Sequence, residues 1–403
     1  MSALPPGWGE TTIGGAFSVK YGKALAAALR SETGTVPVFG SAGEVGWHNA
    51  SLTAEPCLIV GRKGNAGSVF LSESPAWPID TTYFLTPTRP MNLRWVTYYM
   101  TLVGPGLRDS STTIPSLRRE DLEACALPLP PLAEQRRIVE AIEEQFSRLD
   151  AGVASLRRAQ RNLSRMRESI VRHLLTDPSW PLRQLGDISD VVGGVTRNAQ
   201  QESQAGLVEV PYLRVANVQR GRLDLTEMKT VRVAPERAQA LSLKPGDLLL
   251  NEGGDRDKLG RGWIWEGQIP GCIHQNHVFR ARLTPTHEPK FVSLYANSFG
   301  REWFDRNGSQ TTNLASISRT KLRQFPVPSP CREEQQRVVA EIERQFSILD
   351  AMEATVTAGL ARAERLRQSI LREAFAGRLV PQDPDDEPAS TLLERIAAER
   401  TTA

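Results

Sequence analysis

The chain has 403 residues, of which 40% are hydrophobic and 24% are charged, and its formal net charge is +3 at pH 7. This composition is typical of a globular protein with two or three domains. No apolar run reaches the roughly 18 residues that a membrane span needs, and no signal pattern follows Met1, so we expect a cytoplasmic protein. The four cysteines form no CxxC pair, so the sequence indicates neither a zinc site nor a disulfide framework.

The charge is unevenly distributed along the chain. Residues 1–127 contain ten Lys and Arg against ten Asp and Glu, whereas residues 181–327 contain 20 against 15. Residues 328–403 are acidic, with ten basic against 14 acidic side chains. A basic segment permits nucleic-acid binding but is weak evidence for it by itself.

Residues 1–127 predict a globular domain of mixed α and β structure, because short runs of Val, Leu, Ile and Thr are separated by Gly and Pro. Residues 61–67 have the composition of a tight turn that exposes its backbone. Arg and Lys bind guanine edges and phosphates, and Asn and Gln pair with adenine. On that chemistry, the candidate DNA contacts of this segment are Lys20, Tyr21, Lys23, Arg62, Lys63 and Asn65.

Residues 128–180 predict a long helix. The proline cluster at residues 128–131 forces an extended backbone, after which a helix can begin. Apolar residues then fall on alternating three- and four-residue steps, which is a heptad-like seam. We therefore expect one helix of about 44 residues, roughly 66 Å long. Its expected packing residues are Val139, Ile142, Phe146 and Leu149.

The helical segment occurs twice. Residues 127–175 recur at residues 327–375, shifted by 200 positions, so that Glu134-Gln135 returns as Glu334-Gln335. The corresponding packing residues of the second copy are Val339, Ile342, Phe346 and Leu349.

The globular segments also repeat, though more faintly, since Trp8 matches Trp180 at a shift of 172. The chain therefore divides into four parts, namely two globular domains at 1–127 and 181–327 and two helical segments at 128–180 and 328–403.

A helix of this length needs a partner for its apolar seam, and the other copy is the obvious one. The two helices can pair in parallel or antiparallel, and an antiparallel pair would relate the globular domains by a pseudo-two-fold axis. In the alternative interpretation each helix packs only on its own domain, or drives a homodimer.

The second globular segment offers a comparable set of polar side chains. The candidate DNA contacts here are Arg197, Asn198, Arg214, Asn217, Gln219, Arg256, Lys258, Arg261, His274, Gln275 and Asn276. His274 and His277 have the spacing of a metal pair, but on a strand their rings would point to opposite faces, and we expect no metal. The loops at residues 109–113 and 308–313 are rich in hydroxyl groups, which suits either phosphate binding or helix N-capping.

Taken together, these motifs resemble the specificity subunit of a type I DNA restriction-modification system. The resemblance rests on an ordered set of segments. The first is the proline-rich entry with Glu-Gln and a hydrophobic pair at residues 127–139, with its degraded copy at 327–339. The others are the shared Gln-Phe-Ser-x-Leu-Asp at 145–150 and 345–350, the arginine-containing motif at 167–170 and 367–370, and the tail at 377–390.

The resemblance implies an α+β fold with two target-recognition domains joined by two long helices that form an antiparallel coiled coil with pseudo-two-fold symmetry. It also implies a noncatalytic chain that binds a bipartite, asymmetric site in double-stranded DNA, with the helix pair fixing the gap. Catalysis would belong to two methyltransferase subunits that use S-adenosylmethionine and two restriction-translocase subunits that use ATP and Mg. This chain would need no cofactor, and the resemblance transfers no individual base contact.

The absence of known catalytic motifs from the sequence agrees with a noncatalytic role. The glycine-rich residues 253–262 lack the Lys and Ser or Thr of a phosphate-binding loop, and no Asn/Asp-Pro-Pro-Tyr/Phe methyltransferase motif occurs. Two alternatives remain: a coiled-coil adaptor whose globular domains bind protein, and a fused methyltransferase-nuclease, which the missing motifs argue against.

The tail predicts a short docking helix. Thr391 and Glu394 form a capping-box pattern, and Leu392, Leu393 and Ile396 would form the apolar stripe. We expect this helix to dock on the first segment or on a methyltransferase subunit.

Overall fold

The computed structural model describes residues 4–31, 33–88, 90–109, 113–196, 205–254, 258–310, 315–391 and 393–394. The chain forms two compact units. Unit 1 consists of Met1–Arg157 and Thr357–Ala403, and unit 2 consists of Arg158–Val356. Each unit thus holds one globular segment and part of both helical segments, while the four-part division of the sequence stays a prediction.

Unit 1 contains nine strands and three short helices within its described residues. The strands are β1 (Gly9–Thr12), β2 (Phe17–Tyr21), β3 (Val36–Gly40), β4 (Gly43–His48), β5 (Cys57–Gly61), β6 (Val69–Ser72), β7 (Trp77–Pro78), β8 (Thr82–Pro87) and β9 (Ala126–Leu129). The helices are α1 (Ile13–Ala16), α2 (Leu93–Val103) and α3 (Arg119–Glu123), with 3₁₀ turns at Ala27–Leu29 and Gly104–Leu107.

The central sheet of unit 1 is antiparallel, in the order β2-β8-β5-β6. Every residue of β5 is buried, which explains why its sequence is a continuous apolar run rather than an alternating one. In a second sheet, of order β4-β3-β7, β3 pairs antiparallel with β4 and parallel with β7. The remaining pair, β1 with β9, connects the start of the chain to the strand that precedes the first long helix.

Unit 2 contains a second set of strands and short helices. The strands are β10 (Leu182–Gln184), β11 (Ser189–Val192), β12 (Val208–Leu213), β13 (Val218–Gln219), β14 (Arg222–Leu223), β15 (Lys229–Val233), β16 (Leu248–Asn251), β17 (Gly253–Gly254), β18 (Gly262–Ile264), β19 (Ile273–His274), β20 (Val278–Leu283), β21 (Ser309–Gln310), β22 (Ala315–Ser316) and β23 (Pro326–Pro328). The helices are α5 (Leu185–Ile188), α6 (Pro235–Leu241), α7 (Pro289–Asn307) and α8 (Arg319–Arg323).

The two units repeat the same topology. The central sheet of unit 2 has the order β11-β20-β16-β18, its second sheet the order β15-β12-β19, and β10 pairs with β23. Each strand of these three sheets occupies the position of its counterpart in unit 1, including the parallel pairing of β12 with β19. The faint repeat of the globular segments therefore reflects one fold used twice.

Both predicted long helices are present. They are α4 (Leu132–Leu174), with 43 residues, and α9 (Arg332–Phe375), with 44. Each begins directly after a proline-containing strand and continues without a break.

The two long helices pair antiparallel within each unit. In unit 1, Leu156 lies beside Gly359 and Asp150 pairs with Arg367. Residues later in α4 therefore contact residues earlier in α9, as in an antiparallel pair. In unit 2, Arg167 pairs in the same sense with Asp350. The alternative of a parallel pair is therefore wrong.

The seam residues contact both the other helix and the globular segment of the same unit. In unit 1, Ile142 and Phe146 belong to one core together with Trp95 of α2 and Ile370 of α9. In unit 2, Ile342 is buried in the corresponding core beside Val171 and Phe291. Packing on the own domain and packing on the other helix are thus not alternatives. The remaining predicted packing residues are buried or half-buried, namely Val139, Leu149, Val339, Phe346 and Leu349.

The repeated glutamine anchors the start of each long helix. Gln135 is fully buried; its amide nitrogen donates to the carbonyl oxygen of Pro130 (3.0 Å) and its amide oxygen accepts from the N–H of Asn92 (3.1 Å). Gln335 makes the equivalent bonds to the carbonyl oxygen five positions earlier (2.8 Å) and to the N–H of Glu288 (2.8 Å). The motif found by its repetition thus ties the proline cluster to the beginning of α2 in unit 1 and of α7 in unit 2.

The tail docks on the first segment, within unit 1. The N–H of Ala389 donates to the carbonyl oxygen of Gly7 (2.9 Å), and Asp386 pairs with Arg137 of α4 (2.6 Å). The helical residues begin at Ala389, so the prediction that the helix starts with Thr391 is wrong by two positions. The predicted stripe residues Leu392 and Ile396 lie outside the described residues.

Candidate nucleic-acid interface

One end of the central sheet of unit 1 collects most of the candidate residues of the first segment. Here β2 and β5 end and β8 begins, since Tyr21 pairs with Tyr83 and Gly61 pairs with Thr82. We call this edge sheet end 1. Because β8 lies between its two neighbours, the residues that follow β2 and those that follow β5 lie on either side of one strand.

An aromatic and cationic cluster occupies sheet end 1. The Tyr21 side chain is 52% exposed, and its ring centroid lies 5.1 Å from that of Tyr83. The guanidinium carbons of Arg62 and Arg119 lie 5.5 and 6.0 Å from the Tyr21 centroid. A ring between two guanidinium groups is held by cation–π attraction. This cluster presents positive charge and hydrogen-bond donors at a solvent-accessible edge.

Two further contacts fix the geometry of this cluster. Arg62 Nη2 donates to the carbonyl oxygen of Asp80 (2.7 Å), which orients the guanidinium. Tyr83 is buried and its hydroxyl donates to the carbonyl oxygen of Leu117 (3.0 Å). Burial raises the pKa of Tyr83 to about 12. The phenol therefore stays protonated at neutral pH and supports the exposed ring of Tyr21.

The glycine-containing turn and the hydroxyl-rich loop of the first segment lie side by side. The backbone of Lys63 forms an isolated bridge with Ser116, and Ser116 forms another with Asp109. Lys63 and Asn65 are exposed at this turn, as are Lys20 and Lys23 at and after the end of β2. Sheet end 1 thus brings together all six candidates of the first segment. Residues 110–112 of the neighbouring hydroxyl-rich loop lie outside the described part of the chain.

Unit 2 builds the equivalent edge, here called sheet end 2. At this edge β11 and β16 end and β20 begins, since Val192 pairs with Arg280 and Asn251 pairs with Val278. The residues that follow β16 form β17, which pairs with β22 just as the Lys63 backbone pairs with Ser116. Three predicted candidates, Arg197, Asn198 and Arg256, and the loop residues 311–313 lie outside the described residues.

The candidates of the second segment that the structure describes differ in accessibility. Lys258 and Arg261 follow β16 and are half-buried, as are Gln275 and Asn276 in the turn before β20. Away from this edge, Arg214 Nη2 donates to the carbonyl oxygen of Glu227 (2.9 Å). Gln219 Nε2 donates to the carbonyl oxygen of its neighbour Ala216 (2.6 Å). These six stay candidates, and only the first four lie at sheet end 2.

Two predicted candidates have structural roles instead. Asn217 is buried, and its side chain accepts from the N–H of Arg214 (2.9 Å) and donates to the carbonyl oxygen of Asp224 (2.8 Å). His274 is fully buried with Nδ1 2.6 Å from the carbonyl oxygen of Val278, and burial lowers its pKa to about 4. Because neither side chain reaches the surface, we remove both from the set of DNA contacts.

Of the two histidines considered as a metal pair, one ends a strand and the other lies in the turn that follows. Only His274 belongs to β19, so the expectation that both lie on one strand is wrong. His277 is exposed and its Nδ1 lies 2.6 Å from Oε2 of Glu252. Among the described residues no group of three or more His, Cys, Asp or Glu is arranged to hold a metal ion.

Sequence reasoning missed Arg119, which completes the cluster at sheet end 1. A signal for it existed, because Arg119 returns as Arg319 at the shift of 200 that relates the helical segments. Both arginines are the first residues of short helices, α3 and α8. The repeat thus extends to the residues beside each sheet end.

Comparison with known proteins finds relatives that all belong to one family. A family model described as the type I restriction modification DNA specificity domain matches residues 5–153. The specificity subunit of the type I restriction enzyme EcoKI from Escherichia coli K12 is 25% identical over 73% of this chain and 68% of its own length. The EcoDI specificity subunit from Escherichia coli is 24% identical over 100% of this chain and 98% of its own length. The chain is thus similar to type I restriction-modification specificity subunits along its whole length, and its first part matches their DNA specificity domain.

Solved structures show that the fold is shared as well. A structure described as showing complex assembly and conformational transition of the type I R-M system contains a chain with a TM-score of 0.71 and 18% identity, matched over 94% of this chain and 100% of its own length. The HsdS subunit from Thermoanaerobacter tengcongensis gives a TM-score of 0.53 at 18% identity, over 93% of this chain and 98% of its own length.

The matched family model is described as a DNA specificity domain, and the relatives are the specificity subunits of restriction enzymes. In the part of this chain that the structure describes, no helix is long and apolar enough to cross a bilayer.

Proposed function

We propose that this chain is a specificity subunit that reads a bipartite, asymmetric site in double-stranded DNA, with each unit reading one half. The observation that carries the proposal is the repeated topology. One sheet arrangement occurs twice, and in both copies the same edge collects polar and cationic side chains. Two copies of one reader on a single chain suit a site with two halves.

The side chains at the two edges differ, which supports unequal half-sites. Sheet end 1 presents Tyr21 between two guanidinium groups, whereas the residue at the shift of 172 is Gly193 in unit 2. Sheet end 2 instead presents Lys258 and Arg261 after β16. Because base readout depends on which donors and acceptors reach the groove, the two edges would select different base pairs.

The long helices are proposed to set the gap between the half-sites. The support is that α4 is one helix of 43 residues that belongs to both units. Adding one helical turn within residues 151–161 should change the gap and leave both half-sites unaltered. Unchanged spacing in an active protein would contradict this role.

The proposal includes the partners implied by the family. Two methyltransferase subunits would use S-adenosylmethionine, and two restriction-translocase subunits would use ATP and Mg in a cytoplasmic complex. This chain would scaffold them, and its own residues would supply no catalytic group.

Salt dependence tests DNA binding against the alternative of a protein-binding adaptor. Binding of the full chain to a labelled duplex is measured between about 50 and about 200 mM salt. Neutralised phosphates make log affinity fall linearly with log salt concentration, with a slope of about −0.9 for each phosphate. A slope of several units is expected, and absence of salt-dependent duplex binding would favour the adaptor.

A further inference from the structure

Unit 2 contains an arginine-lined cleft outside sheet end 2. The cleft has a volume of about 470 Å³ and lies between α4, α7 and the turn that joins β13 to β14. Arg167, Arg172, Arg220 and Arg301 line it. We propose that this cleft binds phosphate groups of the DNA backbone, an inference that rests on the proposed function and adds a phosphate-contacting surface to it.

The lining carries an excess of positive charge. Against the four guanidinium groups stand two carboxylates, those of Glu168 and Glu353. Glu353 lies 3.6 Å from Arg167, which also pairs with Asp350. One arginine is therefore neutralised by the helix pair itself, and three remain against Glu168.

Two of these arginines have donors available for a ligand. Arg301 is exposed on α7 and has no hydrogen-bond or ion-pair partner among the described residues. Arg172 is exposed on α4, and its guanidinium carbon lies 5.5 Å from the Phe299 ring centroid without a carboxylate partner in the described part of the chain. A guanidinium that stacks on a ring keeps its in-plane N–H groups free for phosphate oxygens.

The wall of the cleft is fixed by hydrogen bonds. Arg220 Nη1 donates to the carbonyl oxygen of Asn297 on α7 (2.6 Å). The Asn297 side chain in turn donates to the carbonyl oxygen of Gly262 (2.8 Å) and accepts from its N–H (3.2 Å). These bonds hold the turn of Arg220, the middle of α7 and the start of β18 together, so the cleft does not depend on flexible side chains alone.

The same bonds connect the cleft to sheet end 2. Gly262 directly follows Arg261, and the N–H of Asn251 at the end of β16 donates to the carbonyl oxygen of Arg261 (3.0 Å). The backbone segment that carries Lys258 and Arg261 is thus bonded to the wall of the cleft. Basic residues at sheet end 2 and in the cleft on one bonded framework suit a polyanion such as a DNA strand, whereas a free phosphate would need only the cleft.

Unit 1 does not reproduce this lining. Asn92 and Glu288 are equivalent at the starts of α2 and α7, and at that shift of 196 the position of Arg301 is Pro105. The difference agrees with the charge of the globular segments, which is even in residues 1–127 and basic in residues 181–327. Unit 2 would therefore contribute the larger share of the phosphate contacts.

The test compares the salt dependence of duplex binding by the full-length protein and its variants. The double variant Arg172→Ala with Arg301→Ala should lose two phosphate contacts, which makes the slope shallower by about 1.8. Raising the salt from about 50 to about 200 mM lowers the affinity of both proteins, and the factor by which it falls should be roughly ten times smaller for the double variant than for the wild type. The loss should be equal for two duplexes of unrelated sequence, because phosphate contacts carry no base information. The double variant Arg172→Lys with Arg301→Lys preserves both positive charges and should keep most of the slope of log affinity against log salt concentration.

The matched control is Arg306→Ala, an exposed arginine of the same helix outside the cleft, which should leave the slope unchanged. A double Ala variant with wild-type slope, or one that changes binding to only one of the two duplexes, would overturn the inference. Inorganic phosphate is the second probe: binding of it to the wild type without any effect of the double variant on duplex binding would mean a small-anion site instead. Failure of the proposed function is distinguishable, because then the wild type itself would show no salt-dependent duplex binding.

Discussion

The guanidinium carbon of Arg367 lies 4.2 Å from the centroid of the Phe146 ring. In unit 2, Arg167 repeats this arrangement with Phe346 at 4.6 Å. Each arginine belongs to the later part of its helix and each phenylalanine to the earlier part of the other helix. The repeated contact therefore places a guanidinium group over one seam ring in each antiparallel helix pair.

Removing this arginine should destabilise unit 1. Arg367→Ala should lower the free energy of unfolding by about 1–2 kcal/mol, because it removes packing on the ring as well as a charge contact. Asp150→Asn should cost less than about 0.5 kcal/mol, since the Asp150 carboxylate that pairs with Arg367 is 61% exposed. Denaturant unfolding measures both, with the exposed Arg365→Ala as the control. Equal losses for Arg367→Ala and Asp150→Asn would mean that the ion pair, and not the stacking, holds the helices.

The buried glutamine at the start of each long helix should be more costly to remove. Gln135→Ala leaves the carbonyl oxygen of Pro130 and the N–H of Asn92 without their partner, which should cost about 2–4 kcal/mol. Gln160→Ala on the same helix is the control, because Gln160 is exposed. Thermal and denaturant unfolding give the free energy of unfolding of both variants. A Gln135→Ala protein as stable as the Gln160→Ala control would contradict the anchoring role.

The long helices could be predicted from sequence because their signal is local. Ile142 and Phe146 are spaced for one helix face, and no proline interrupts the series. Strand order could not be predicted, because it depends on pairings such as that of β3 with β7, which joins Val38 to Trp77 through only two residue pairs. No periodicity within β3 or β7 indicates that the two strands pair. The sequence repeat indicates only that the two globular segments are related.

The tail should hold its position through one ion pair in particular. The Asp386 side chain is 10% exposed and pairs with Arg137, so Asp386→Ala would leave a partly desolvated guanidinium without its partner and should cost about 1–3 kcal/mol. Hydrogen exchange at residues 386–391 should increase at the same time. The neighbouring and exposed Asp385→Ala provides the control. Unchanged exchange in Asp386→Ala would show that the apolar contacts of Ala389 and Leu393 suffice to hold the tail.

The stability of unit 2 should fall in mild acid because of His274. Its pKa is about 4 in the folded protein and about 6.5 in an unfolded chain. The unfolded state therefore binds the proton first, so the stabilising contribution is complete above about pH 6.5 and is lost as the pH falls toward 4. From pH 7 to about pH 4.5 the loss should be about 2 kcal/mol. His274→Asn should lack this part of the pH dependence, and the exposed His173→Asn should retain it. Identical pH profiles for all three proteins would contradict the assignment.

The candidate interface was predictable in kind but not residue by residue. Residue type directed attention to Arg62 and Lys63, because the turn of residues 61–67 is visible in the sequence, and both residues stay candidates at sheet end 1. Asn217 and His274 have equally suitable chemistry, yet burial in turns and strands of unit 2 removes them from the surface. That burial arises from neighbours distant in sequence, which a list of polar residues does not contain.

The most direct test of the central claim is a map of methylated adenines in a genome that expresses this chain together with a type I methyltransferase subunit. If each unit reads one half of the DNA site, the methylated sequence should be a split motif, with two unequal half-sites around a fixed gap. Replacing Arg62 at sheet end 1 should then relax one half-site and leave the other unchanged. A single continuous motif, or simultaneous loss of both half-sites in that variant, would contradict the account.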